Sequence, residues 1–130
     1  MKDLNKVIFV GRLAADPVIK TTSTGQPMAN LRLATNAYWR DSSGEMQTKT
    51  DFHDVVAWRN VAESITDQLH KGDSILVEAK LQPRKWQTAD GQPRRSIDIV
   101  ATRIVSTQSD DVQQYIKDVR QALQLDTTTQ

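Results

Sequence analysis

The three tryptophans each adjoin a cation, in the pairs Trp39-Arg40, Trp58-Arg59 and Lys85-Trp86, although only seven of the 130 residues are aromatic. An aromatic ring offers a platform for a flat π-system, and a cation beside it offers a partner for a phosphate. Single-stranded nucleic acid presents both handles, and a ligand read without regard to sequence needs both residue types interleaved. Each stacked base contributes about 1–3 kcal/mol, and phosphate neutralisation adds a salt-sensitive part. Phe52 and Trp58 add geometry. In the alternating stretch "KTDFHDVVAW" they fall on one strand face, six residues apart, or about 20 Å at ~3.3 Å per residue. The bland alternative stays open for each ring alone, since a strand-end Trp39 or Trp58 can plug a barrel end. Trp86 has the least core-like surroundings, "RKWQTADGQPRR".

Other chemistries find little material. Without cysteine there is no disulfide framework or zinc ribbon, and His53 and His70 have no clustered carboxylates at ligand spacing, so neither metal nor cofactor is expected. His53 and Asp54 point to opposite faces of one strand, a poor catalytic dyad. The acidic residues are scattered with no hydrolase motif, and an enzyme is not expected. No amino-terminal apolar stretch suggests a signal peptide or membrane span; the expected location is the cytoplasm, with the nucleoid. Residues 1–105 hold 15 Lys+Arg against 12 Asp+Glu, whereas residues 106–130 hold 2 against 4. So mild a basic excess requires that nucleic-acid affinity come from where the cations sit.

The elements that would position these residues read as follows. "NKVIFVGRL" (5–13), "MANLRLATNAYW" (28–39) and "KTDFHDVVAW" (49–58) predict three strands, with "TTSTGQP" a loop and Ser42-Ser43-Gly44 a turn. "NVAESITDQLHKG" has a helical period in Val61, Ala62, Ile65 and Leu69, with Asn60 as N-cap and Gly72 as stop. "SILVEAKL" (74–81) and "RSIDIVATRIV" (95–105) predict two further strands joined by a hairpin that turns at Asp90-Gly91. Gly11 suggests a bulge or bend, and no glycine remains to build a phosphate-cradling loop. The order predicts an all-β barrel, a five-stranded OB-fold with one helix between strands three and four. An amphipathic helix follows at about 111–125, with Asp111 as cap and Val112, Tyr115, Ile116, Val119, Ala122 and Leu123 on one stripe. The expected division is an OB-fold domain over 1–105 and a carboxy-terminal segment over 106–130, ending in a polar "DTTTQ".

The motifs "NKVIFVGRLAADP", "LATNAYWRD" with "GEM", "TDFHDVVAWRNVAE", "LHKGDSILVEAKL" and "RKW" followed by "DGQ" closely resemble those of bacterial single-stranded DNA-binding proteins, in order and spacing. The resemblance implies a non-catalytic OB-fold, usually a homotetramer, that wraps single-stranded DNA during replication, recombination and repair. It places base stacking on Trp39, Phe52, Trp58 and Trp86. Phosphate contacts fall to Arg40, Arg59, Lys71, Arg84 and Lys85, and more weakly to Lys6, Lys20, Arg32 and Lys49. His53 matches a position associated with subunit contacts. Asp54 departs from the arginine or amide common at its position and would repel phosphate unless a cation neutralises it. The chain ends "LDTTTQ" without the acidic tip that recruits replication and repair proteins, so the resemblance does not carry that role over, and such proteins stay open as partners by another route. The carboxy-terminal helix is expected to dock on its own barrel or a sister subunit, with recruitment of another protein as the alternative. Two rival readings are an OB-fold protein-interaction module similar to primosome accessory proteins, and an RNA binder.

Overall fold

A computed structural model of the chain describes residues 2–125. In chain order the elements are β1 (Val7–Leu13), β2 (Val18–Thr21), β3 (Pro27–Arg40), β4 (Met46–Trp58), α1 (Arg59–Ser64), β5 (Ser74–Gln87), β6 (Pro93–Ser106) and α2 (Asp110–Ala122). The strands pair in the order β1-β5-β6-β4-β3-β2, and a further β1–β3 contact closes β1, β5, β6, β4 and β3 into a five-stranded barrel. The barrel is the one expected, with β2 as an extra edge strand. Its interior is filled by the inward rows of all five strands, including Leu13, Leu31, Leu33, Val55, Ala57, Ile75, Val77, Ala79 and Ala101, with Ala62 and Ile65 of the α1 segment plugging one end.

Closure depends on Gly11. A Cβ there would lie 2.3 Å from the Ala34 carbonyl oxygen, so only glycine lets β1 reach β3. The expected bulge falls elsewhere: Gly11 pairs regularly with Ile75, and the ladder shifts between Glu78 and Ala79, which face Arg103 and Ala101 and leave Thr102 as the extra residue. Thr102 Oγ1 donates to the Glu78 carbonyl (3.1 Å), which satisfies the acceptor beside the bulge.

One turn design makes all three hairpins. In Thr22–Gln26, Asp41–Glu45 and Thr88–Gln92 the first residue's N–H donates to the last carbonyl (2.9 Å each), and a glycine at φ 84–86° precedes that last residue. Positive φ is the conformation this loop class demands. Side chains reinforce each turn: Thr22 Oγ1 accepts from Gln26 N, and Asp41 Oδ1 accepts from Ser43 N and Glu45 N. The Ser43 hydroxyl is the main cause of an Asp41 pKa below its ordinary value, followed by the Glu45 N–H. Thr88 bonds to Asp90 and Gln92.

Two helix expectations are corrected. α1 starts at Arg59 after an N-cap at Trp58 that makes no side-chain cap bond, so Asn60 lies inside the helix. It stops at Ser64, well short of Gly72, because the following N–H groups bond three residues back: Ile65 to Ala62, Thr66 to Glu63 and Gln68 to Ile65. Ser64 and Thr66 hydroxyls capture the Val61 and Ala62 carbonyls, and Asp67 adopts φ 60°. Short polar side chains compete with the helical ladder in this way. Gly72 instead shapes the turn into β5. α2 starts one residue before the expected span and is capped by Ser109, whose Oγ accepts from Val112 N (3.2 Å); Asp110 and Asp111 fill the first turn, where the helix dipole favours anions. Residues 126–130, expected to be a polar tail, lie outside the described residues.

Candidate nucleic-acid interface

The outer face of the barrel is best described row by row across the ladders, because directly opposed residues share a face. One row runs Lys20–Met28–Trp58 across β2, β3 and β4. The next runs Val18–Asn30–Val56–Val100–Lys80 over all the strands from β2 to β5. Arg32 opposes Asp54, and Ala34 opposes Phe52. Beyond Val100, the β5–β6 ribbon continues the same face through Asp98–Gln82, Ser96–Arg84 and Arg94–Trp86. Phe52, Trp58 and Trp86 therefore share one surface, and their relative exposures are 53%, 41% and 43%. Trp86 stands in a strand and not in a loop, because β5 runs on to Gln87.

Trp39 is 43% exposed but belongs to the other face of the β3–β4 arm, opposite Gln47 and adjacent to the Ala37–Lys49 pair. The structure thus gathers three of the four predicted stacking residues on one side and puts Trp39, with Lys49, on the reverse. Tyr38, which the sequence analysis did not single out, lies on the Phe52 face and is 61% exposed.

The predicted phosphate-binding cations divide by what already holds them. Arg32 Cζ lies 4.8 Å from the Phe52 ring centroid, a cation–π contact that couples a charge to a stacking platform. Arg84 pairs with Asp98 (3.1 Å), Lys49 with Asp51 (3.5 Å), and Arg40 donates to the Gly44 carbonyl (2.9 Å). Lys6 is committed elsewhere, to Glu78 at 2.6 Å. The side chains of Lys20, Arg59, Lys71 and Lys85 make no ion pair among the described residues. Arg59 has φ 51°, a conformation costing an L-residue about 1–2 kcal/mol, at the point where Trp58 leaves β4. Arg94 and Arg95 are additional. They face Trp86 and Lys85 across the ladder and line a groove of about 440 Å³ with both of them, Gln87 and Pro93.

This chain matches the single-strand binding protein family over residues 4–107. The chain belongs to that family. Among curated relatives, the single-stranded DNA-binding protein of Rhizobium meliloti (strain 1021) is 42% identical over 106 residues, which cover 80% of this chain and 61% of the relative. Single-stranded DNA-binding protein 2 of Chlorobaculum tepidum is 41% identical over 105 residues, 80% of this chain and 71% of that protein. Among solved structures, the Plasmodium falciparum protein in complex with single-stranded DNA aligns with a TM-score of 0.64 at 37% identity, covering 77% of this chain and 88% of that one. A deletion mutant of the Thermus aquaticus single-stranded DNA-binding protein aligns at 0.70 and 31% identity, covering 82% and 52%. The family match stops at residue 107, so α2 lies beyond it.

Within this family member α2 docks on part of the outer barrel. Val112 and Leu76 are buried, and Tyr115 Oη donates to Glu78 Oε2 (2.6 Å). Glu78, 7% exposed, also receives Lys6 and Arg103 (3.4 Å). The Lys6 ammonium, followed by the Tyr115 hydroxyl, holds the Glu78 pKa below its ordinary 4.5, while the same contacts raise Lys6 and Tyr115. His53 lies on the inward row of β4; its Nε2 is 2.9 Å from Thr35 Oγ1 and its ring centroid 4.5 Å from that of Phe9. It borders an apolar cavity of about 350 Å³ between β1 and α2, with Ile8, Val10, Ile116 and Val119 in the lining. Among the described residues no cluster of three or more His, Cys, Asp or Glu could hold a metal, and no helix is long and apolar enough to cross a membrane.

Proposed function

We propose that the chain binds single-stranded DNA broadly, without a defined recognition sequence, by stacking bases on Phe52, Trp58 and Trp86 and, on the reverse of the β3–β4 arm, on Trp39. One observation carries this reading: three large rings stand exposed on one continuous outer face of a barrel whose core is complete without them, interleaved with Lys20, Arg32, Arg84 and Arg94. Arg40, Arg59, Lys71, Lys85, Lys49 and Arg95 take phosphates around its margins. Lys6 is the weakest of the predicted contacts, being held by Glu78. The role is protective and non-catalytic, in replication, recombination and repair, in the cytoplasm. The barrel over residues 1–105 acts as the binding domain, and α2 packs as an accessory to it.

Assembly into a homotetramer through surfaces outside this face, with His53 near a subunit contact, completes the proposal. Sedimentation at micromolar concentration tests it, and a monomer there removes wrapping from the mechanism. The binding itself is tested by competition among a thymidine oligomer, its duplex and a matched RNA at two salt concentrations. Preference for the single DNA strand, weakening with salt, supports the reading; equal affinity for RNA moves it to the RNA class, and no binding moves it to the protein-interaction module.

A further inference from the structure

Asp54 is out of character with the face that holds it. It occupies the outer row of β4 two residues from Phe52 and four from Trp58, about 7 Å and 13 Å along a strand at ~3.3 Å per residue. Arg32 is its direct partner in the ladder, yet that guanidinium lies over the Phe52 ring. Asp54 consequently has no ion pair or hydrogen bond to its carboxylate among the described residues, and it is exposed. It opens on a shallow pocket of about 210 Å³ at the split between β4 and β6, lined also by Asn30, Val56, Ile97, Ile99 and Asp98. Asp98 is already neutralised by Arg84.

A free carboxylate on a surface for a polyanion weakens binding unless the ligand supplies a donor. Phosphates and internal deoxyriboses supply none. Only base edges do, and they differ. Guanine presents two adjacent donors, N1–H and the 2-amino group, which match the two oxygens of one carboxylate. Adenine and cytosine present an amino group beside an acceptor nitrogen that the carboxylate repels, and thymine presents one N–H between two carbonyls.

We propose that Asp54 is a base-reading residue: a guanine stacked on the Phe52–Arg32 platform turns its donor edge to this carboxylate, biasing an otherwise general binder toward guanine-containing strands. The inference rests on the single-strand reading of this face. A bidentate base contact discriminates by about 1 kcal/mol or more, which is about five-fold in affinity.

The test compares oligomers of one length: all thymidine, and thymidine alternating with deoxyguanosine, deoxyinosine or deoxycytidine. Deoxyinosine keeps N1–H and lacks the 2-amino group, so backbone and stacking are nearly constant. The expected result is about five-fold tighter binding of the guanine oligomer than of the inosine oligomer, a ratio that falls to about one in Asp54→Ala while thymidine binding tightens. A ratio near one in the unmodified protein, or one that persists in Asp54→Ala, overturns the proposal. Equal weakening of every oligomer by Asp54→Ala also overturns it, because Asp54 then serves as a counter-ion for Arg32. If no oligomer binds, the thymidine one included, the single-strand reading itself fails, an outcome distinct from loss of the ratio alone.

Discussion

Along the outer face of β5, Leu76 and Glu78 are buried, whereas Lys80, Gln82, Arg84 and Trp86 on the same face of the same strand are exposed. The first stretch lies under α2. Its one carboxylate has three partners within the chain, Lys6, Arg103 and Tyr115, and its leucine is closed off from solvent. The second stretch carries the Trp86 ring and an equal density of charge, but apart from the Arg84–Asp98 pair its outer-row groups are left to solvent. The chain can thus cover this kind of surface, and it does so over only half of the hairpin. Covered groups stabilise the fold; uncovered aromatic and cationic groups add little to it and are available to a ligand.

This contrast breaks if substitutions in the two halves have similar effects. The largest effect belongs to the covered half: Leu76→Ala is expected to lower the unfolding free energy by about 2–4 kcal/mol in denaturant melts while DNA affinity of the folded protein stays nearly constant. Trp86→Ala reverses the pattern, costing about 1–3 kcal/mol of single-strand affinity and within about 0.5 kcal/mol of stability, as for an exposed site; equal losses in both measurements would erase the distinction. Tyr115→Phe removes the hydrogen bond to a buried carboxylate and should destabilise by about 1.5 kcal/mol, with no change in binding.

The buried carboxylate also gives the covered half a pH dependence. The folded Glu78 pKa is depressed below 4.5 by its donors, so its contribution is complete above about pH 4.5 and is lost as the pH falls through the folded value. The melting temperatures of the unmodified protein and Glu78→Gln should therefore differ at neutral pH and converge in acid; a constant difference would remove Glu78 from the account. The smallest effect is expected for Lys85→Ala. It should reduce the slope of log affinity against log salt by about 0.7, one single-strand phosphate contact.

The barrel was legible in the sequence because inward rows alternate with polar residues, as in Leu31 and Leu33 or Val55 and Ala57 beside Arg32 and Asp54, because Ile75-Leu76-Val77 is an apolar run, and because the three Gly-containing turns announce the hairpins. What escaped has physical causes. The edge strand β2 is four exposed residues, formed by its ladder to β3 and not by any apolar alternation of its own. The extension of β5 through "RKWQ" is likewise imposed by the partner strand, since those residues are exposed and add nothing to the core. α1 is shorter than its sequence suggests because helical spacing in Val61, Ile65 and Leu69 also suits a chain of turns plugging a barrel end. The identities of the exposed rings could be read directly, and alternation in β4 puts Phe52 and Trp58 on one face, but the side that Trp39 occupies could not be read. Trp39 and Phe52 are separated by a hairpin, and only the register puts them on opposite faces. The same holds for Asp54: its charge is visible in the sequence, while the diversion of Arg32 to Phe52 is a property of the fold.

On the proposed function, the uncovered half of the outer barrel receives the bases of a single strand. Intrinsic tryptophan fluorescence reports on this contact, through titration with a thymidine oligomer and with duplex DNA at low and moderate salt. Strong quenching by the single strand alone is expected, weakening as salt rises and reduced in Trp86→Ala. Absence of quenching, or equal quenching by the duplex, would contradict it.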